Sequence, residues 1–127
     1  MLDHISISVT DLERSIAFYD ATLAALGFVR VWTYAAAAGY GFANEDDRFA
    51  IKTEATPRLA HEQMHIAFAA KTRDAVARFH AVGIALGARD EGAPGLCPEY
   101  GAGYYASFLR DPDGYRLEAV LHEAAPR

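Results

Sequence analysis

Apolar and polar residues alternate along the first stretch of the chain, and then the period changes. Ile5, Ile7 and Val9 fall on one parity and His4, Ser6 and Ser8 on the other, the pattern of a strand with one apolar and one polar face. Leu12, Ile16, Tyr19, Leu23 and Leu26 then recur at helical spacing. Thr10 with Glu13 three residues on predicts a capping box at the helix start, and Gly27 a stop at its end. Phe28 to Tyr34 reads as a strand, rich in Val, Trp and Thr. Gly39 to Ala43 and Phe49 to Glu54 predict two further short strands around the acidic turn Asn44-Glu45-Asp46-Asp47. The unpatterned run Ala35 to Ala38 predicts a hairpin turn.

The polar stretch from Thr56 to Glu62 predicts a linker, and beyond it the order repeats. Met64 to Ala69 is a strand. Thr72 caps a helix to about Leu86, with Val76, Phe79, Val82 and Leu86 on its buried stripe and Gly83 weakening it. Gly92 to Gly103 is rich in Pro and Gly and predicts a long loop. Tyr104 to Leu109 and Tyr115 to His122 predict strands around the turn Asp111-Pro112-Asp113-Gly114, with Arg110 before it as a structural residue. His4 and His65 stand 61 positions apart (4 to 65), as do Phe18 and Phe79 (18 to 79); the triplets Ala25-Leu26-Gly27 and Ala85-Leu86-Gly87 are offset by 60 (26 to 86). One residue of slippage over a strand-plus-helix unit is the mark of a duplicated module, strand-helix-strands twice.

Composition narrows the classes. A chain of 127 residues, 52% hydrophobic and 23% charged, predicts a single globular domain, about 1–124. The net charge of −5 offers no basic face for nucleic acid, and no apolar run approaches the roughly 20 residues that span a bilayer. The N-terminus has no basic leader and enters a strand at once, and the single Cys97 cannot form an internal disulfide; both predict the cytoplasm. Cys97, in the Pro/Gly-rich loop, reads either as a reactive thiol or as an incidental residue.

The candidate chemistry lies on the polar parity. His4 and His65 are equivalent in the repeat, each followed by an apolar isoleucine. In the last strand Leu117, Ala119 and Leu121 form the apolar parity, so Glu118 shares the other with Arg116, Val120 and His122. Two imidazoles and a carboxylate on one inward face make a donor set that suits a catalytic divalent cation with open positions. The other reading of the same residues is a pair of hydrogen-bonded strand histidines and a solvated glutamate. Trp32, Tyr100, Tyr104 and Tyr105 are pocket candidates or packing residues; adjacent Tyr104 and Tyr105 must face opposite ways, and ladder position favours Tyr104.

Leu2-Asp3-His4-Ile5 followed by Asp11-Leu12-Glu13-Arg14-Ser15-Ile16-Ala17-Phe18-Tyr19, then His65-Ile66-Ala67-Phe68, then Phe108-Leu109-Arg110-Asp111-Pro112-Asp113-Gly114-Tyr115-Arg116-Leu117-Glu118, resemble the glyoxalase/bleomycin-resistance/dioxygenase proteins, the vicinal-oxygen-chelate superfamily. The resemblance runs over about residues 1–122. It implies an α+β fold of two βαβββ modules, about 1–55 and 63–122, whose strands form a curled mixed sheet around one metal and substrate cup, with helices outside. It implies His4, His65 and Glu118 as ligands of a divalent metal ion (Zn, Mn, Fe, Ni or Co), with Glu118 also catalytic.

The chain departs from glyoxalase I, which offers a fourth ligand from the last strand of its first module. The matching position here falls nearest Lys52, which either snorkels at a strand edge or meets a negatively charged substrate oxygen. His61, His80 and His122 are available for the acid/base histidine of ring-cleaving dioxygenases, without a matching motif. The cation-loop pattern of the fosfomycin-inactivating thiol transferases is absent, and bleomycin-binding relatives typically lack the metal ligands present here.

The function expected is therefore a metal-dependent lyase, isomerase or dioxygenase of this type, not glyoxalase I itself. It would act on a small oxygen-bearing substrate, with Lys52, Trp32, Tyr100 and Tyr104 contacting that substrate. The alternative is a small-molecule-binding or resistance protein of the same fold without catalysis. Two sheets that cannot cover themselves, and the large residues Phe18 and Tyr19 beyond a minimal helical stripe, predict a homodimer.

Overall fold

The structure, a computed structural model, describes residues 1–54 and 64–124. The predicted linker and His61 lie outside the described residues. The elements run β1 (Ile5–Val9), α1 (Leu12–Ala24), β2 (Val29–Tyr34), β3 (Ala37–Gly41) and β4 (Phe49–Thr53), then β5 (His65–Ala69), α2 (Arg73–Ala85), β6 (Arg89–Leu96), β7 (Tyr104–Arg110) and β8 (Arg116–His122). This is βαβββ twice. Each module has its own four-stranded mixed sheet, in the orders β1-β4-β3-β2 and β5-β8-β7-β6. The first and last strands of each module pair in parallel and the others antiparallel.

Alternation decides which side of each sheet is covered. Ile7, Val9, Phe49 and Ile51 in the first module, and Leu109, Leu117 and Ala119 in the second, enter one core with Tyr19, Leu23, Val76 and Phe79 from the helices. The modules share this core. Tyr19 packs on Phe49 at 5.0 Å, Phe49 on Phe68 edge-to-face at 5.3 Å, and Phe68 on Phe79 at 6.4 Å between ring centroids. Each such ring removes about 150–250 Å² from water, so this aromatic run contributes heavily to holding the halves together. Neither α1 nor α2 packs on the opposite faces of the two sheets.

The repeat is visible in the backbone. Both helices end two or three residues before a glycine in the left-handed region, Gly27 at φ 90° and Gly87 at φ 92°, where a side chain would be strained. The starts differ from each other. Thr72 caps α2 as predicted, accepting from the Ala75 N–H at 3.0 Å. At α1 the cap is Asp11, accepting from the Arg14 N–H at 3.1 Å. Thr10 is used elsewhere: its hydroxyl donates to Asp113 Oδ1 at 2.5 Å and its N–H to Oδ2 at 3.2 Å.

The Asp-Pro-Asp-Gly turn thus clamps one module to the other. Asp111 Oδ1 accepts the N–H groups of Asp113 and Tyr115, each at 2.9 Å, while its Oδ2 accepts the buried Tyr19 hydroxyl at 2.5 Å. Tyr115 donates to the Ser8 carbonyl at 2.8 Å. Phe18 and Tyr19, 1% and 0% exposed, are therefore fully used inside the chain and are not surplus surface for a partner.

Two further expectations change. The Gly/Pro-rich stretch predicted as a loop from Gly92 continues β6 to Leu96 before a short helical turn at Pro98–Tyr100. Its ladder to β7 is irregular between Asp90 and Gly92 and between Gly92 and Gly95. An edge strand with bulges tolerates Pro94, which lacks an N–H, where a central strand would not. The predicted turn Ala35 to Ala38 is shorter, because Ala37 and Ala38 already pair in β3.

Candidate functional site

The uncovered face of the second module gathers the candidate chemistry. In its register Glu118 lies opposite Ala67 on one side and Phe108 on the other, and Arg116 opposite His65 and Arg110. Alternation turns Tyr104, Ala106, Phe108 and Arg110 of β7 the same way as Arg116, Glu118, Val120 and His122 of β8. Glu118 is 3% exposed, yet both its oxygens have neighbours. The Tyr104 hydroxyl donates to Oε2 at 2.6 Å, and His65 Nε2 lies 3.2 Å from Oε1. A buried carboxylate without such partners would be strongly disfavoured.

Burial, followed by the hydrogen bond to Glu118, raises the Tyr104 hydroxyl pKa well above that of a free phenol, so it stays a donor. The Cys97 thiol is pushed up, first by burial and then by the charges of Glu99 and Glu118. Tyr100 packs on Tyr104 at 5.3 Å, and His122 stands edge-on to it at 5.1 Å. A cavity of about 380 Å³ opens between His65, Tyr100, Tyr104, Phe108, Arg116 and Glu118, with Glu91 at its wall.

The first module's uncovered face is built alike and furnished differently. His4, just before β1, is exposed and bonded to Asp3 Oδ1 at 2.7 Å; that hydrogen bond raises its pKa, while Lys52 opposes the rise. The register corrects the expected place of a fourth ligand. Glu118 pairs with the residue two beyond His65; the residue two beyond His4 is Ser6, and it pairs with Ala50. The counterpart of Glu118 is therefore Ala50, and Lys52, opposite Ser8, lies one same-face step further along.

Trp32 stays within this module. Its indole lies so close over Gly39 that an added Cβ there would come within 2.3 Å of it, and its Nε1 donates to Asp47 at 3.0 Å.

Tyr100, Tyr104, His65 and Glu118 are thus brought together, while Trp32 and Lys52 sit on the other module. His4 and His65 both border a second, more apolar groove of about 350 Å³ between β1 and β5, lined by Ile5, Phe49, Ile66 and Phe68. Among the described residues of one chain, no three His, Cys, Asp or Glu side chains gather as a metal site, so His4 does not join His65 and Glu118. His80 pairs with Asp90 at 3.0 Å, away from this cavity. Arg116 and Phe108 were not predicted as site residues; the signal for Arg116 was its shared parity with Glu118.

Paired βαβββ modules with an imidazole–carboxylate pair on an uncovered sheet face define a glyoxalase-type protein. The chain belongs to the Glyoxalase/Bleomycin resistance protein/Dioxygenase superfamily, whose family model matches residues 1–119. It is similar to a glyoxalase/bleomycin resistance protein from Albidiferax ferrireducens, at 33% identity and a TM-score of 0.84, over 94% of this chain and 98% of that one. A family enzyme from Burkholderia phytofirmans shares the fold at 17% identity, TM-score 0.73, over 95% and 98% of the two chains. So does the fosfomycin resistance protein FosX of Listeria monocytogenes, at 18% identity and TM-score 0.68, over 94% and 91%. No curated protein matches the chain. No helix among the described residues is long and apolar enough to cross a membrane.

Proposed function

We propose that this protein is a metal-dependent enzyme of the vicinal-oxygen-chelate type, acting on a small oxygen-bearing substrate in the cytoplasm, and that its site is completed between two copies of the chain. One copy supplies His65 and Glu118, the other His4. The observation that carries this reading is the buried Glu118 carboxylate, held by Tyr104 and His65 at the mouth of a cavity. A carboxylate beside an imidazole suits the borderline divalent metals Zn, Mn, Fe, Ni and Co, so the residues present fit the group the family implies. The exposed His4, on the corresponding face of the other module and with its Nδ1 held by Asp3, would be the third donor through Nε2.

A divalent cation bound there would polarise the oxygens of a substrate and lower the energy of a developing enolate or alkoxide. The chain's own residues do the rest. Tyr104 fixes Glu118 through Oε2 and leaves Oε1, on the His65 side, as the atom to hold a ligand or move a proton. Phe108 and Tyr100 give the cavity wall aromatic surface on which the body of a substrate would rest. Lys52 lies on the face that carries His4, where its charge adds to the field felt by an anionic substrate oxygen.

Subunit mixing tests both parts at once. His4→Ala and Glu118→Ala, each alone, should take up no stoichiometric metal by elemental analysis. If sites are shared across a twofold, an equal mixture after subunit exchange should regain about a quarter of the wild-type metal, since half the dimers are mixed and each has one intact site. No recovery, with a wild-type monomer by light scattering, would place all ligands in one chain. No uptake by wild type of any of the five metals would leave a metal-free binding protein.

A further inference from the structure

The cavity beside Glu118 carries an arginine that the proposed metal chemistry does not use. Five of the described arginines are committed: Arg14 to Asp113, Arg30 to Asp20, Arg48 to Glu45, Arg73 to Glu123 and Arg110 to Glu91. Arg116 makes no ion pair or hydrogen bond among the described residues, although it is exposed in a protein of net charge −5 and lines the cavity. It faces the same way as Glu118, two residues along one strand, which separates their backbones by roughly 6–7 Å. Arg110 stands across the ladder from it and takes Glu91, the other acid that lines the cavity among the described residues. The nearest other carboxylate on this face, Glu118, is taken by Tyr104 and His65.

The opposite wall is aromatic. Phe108 lies flat on β6 because Gly92 has no side chain; a Cβ there would come within 2.8 Å of the Phe108 ring. A guanidinium with no partner among the described residues, lining the same cavity as a carboxylate–imidazole pair and aromatic rings, suits recognition of a small organic acid.

We propose that Arg116 binds a ligand carboxylate in this cavity and that the substrate is therefore a small organic acid with an aryl or branched apolar body resting on Phe108 and Tyr100. This rests on the proposed function for the identity of the cavity as the active site. The recognition itself belongs to Arg116 and does not need the metal.

The test is binding of mandelate against mandelamide, which share ring and hydroxyl and differ in charge. It is read by calorimetry on the homogeneous protein, both metal-free and loaded with zinc. Wild type should prefer mandelate by about tenfold or more. Arg116→Gln should abolish that preference while leaving mandelamide binding unchanged; Arg78→Gln, on α2, should keep the preference. Gly92→Ala should weaken both ligands equally, through displacement of Phe108. Equal affinity for the two ligands in wild type, absence of binding of both, or an undiminished preference in Arg116→Gln would overturn the proposal. A preference that depends on Arg116 in protein that takes up no metal would sustain it while removing the metalloenzyme reading.

Discussion

The two uncovered sheet faces of this protein are one design used twice with different contents. Both modules start with a histidine at the head of the first strand, and both pair that strand in parallel with the module's last. In the second module the last strand offers Glu118 two steps from the histidine's level; in the first it offers Ala50. The second module surrounds its carboxylate with Tyr104, Tyr100 and Phe108, whereas the first lays Trp32 across Gly39 and presents Lys52. Duplication kept what folding needs, the apolar parity and the αL glycines. It let the polar parity diverge, because a change on that face leaves the core intact.

Making the second face resemble the first should have the largest effect. Glu118→Ala should lower metal affinity by more than about 100-fold, beyond the 10–100-fold range of residues that only support a ligand. Chelator competition would measure it, and an affinity within tenfold of wild type would remove Glu118 from the ligand set.

The next largest effect falls on the joint between the modules. Tyr19→Phe should cost about 2 kcal/mol in denaturant unfolding, since it strips a donor from the buried Asp111 carboxylate. The loss has a pH signature. Burial holds the Asp111 carboxyl above the usual carboxylate value, against the pull of the Tyr19 hydroxyl and two backbone N–H groups. Such a group binds more protons folded than unfolded between those two values, so its contribution to stability falls as pH rises through that window. Without Tyr19 the folded value rises further, and the destabilisation should be larger at about pH 7 than at about pH 4. A loss independent of pH would mean that Asp111 is not the group involved.

Tyr104→Phe sharpens the contrast more gently. It leaves the ring contacts and removes only the hydroxyl on Glu118 Oε2, so metal affinity should fall about tenfold, and denaturant unfolding should show a loss of about 1 kcal/mol because a buried carboxylate loses one of its two neighbours. Lys52→Gln should act in the opposite direction and least. Removing one positive charge from the His4 face should tighten metal about threefold at low salt, less at high salt. Unchanged affinity at low salt would put Lys52 outside the field of the site.

Local pattern alone carries the repeated strand-helix-strands order, the helix stop at Gly27, the end of the second helix near Leu86, and the parity on which His4, His65 and Glu118 stand. These are local matters of period and backbone freedom. The sequence was least legible where a tertiary contact overrode a local signal. Thr10 reads as a cap, but Asp113 from the other module takes its hydroxyl and Asp11 caps instead. The Gly92 to Leu96 stretch reads as a loop, yet β7 recruits it as a bulged edge strand. Parity places Glu118 and the two histidines on the same kind of face without saying whose faces meet. Only the tertiary structure brought His65 to Glu118, left His4 apart, and named Ala50 rather than Lys52 as the counterpart of Glu118. Strand register is set by pairing across the chain, and no pattern within one strand contains it.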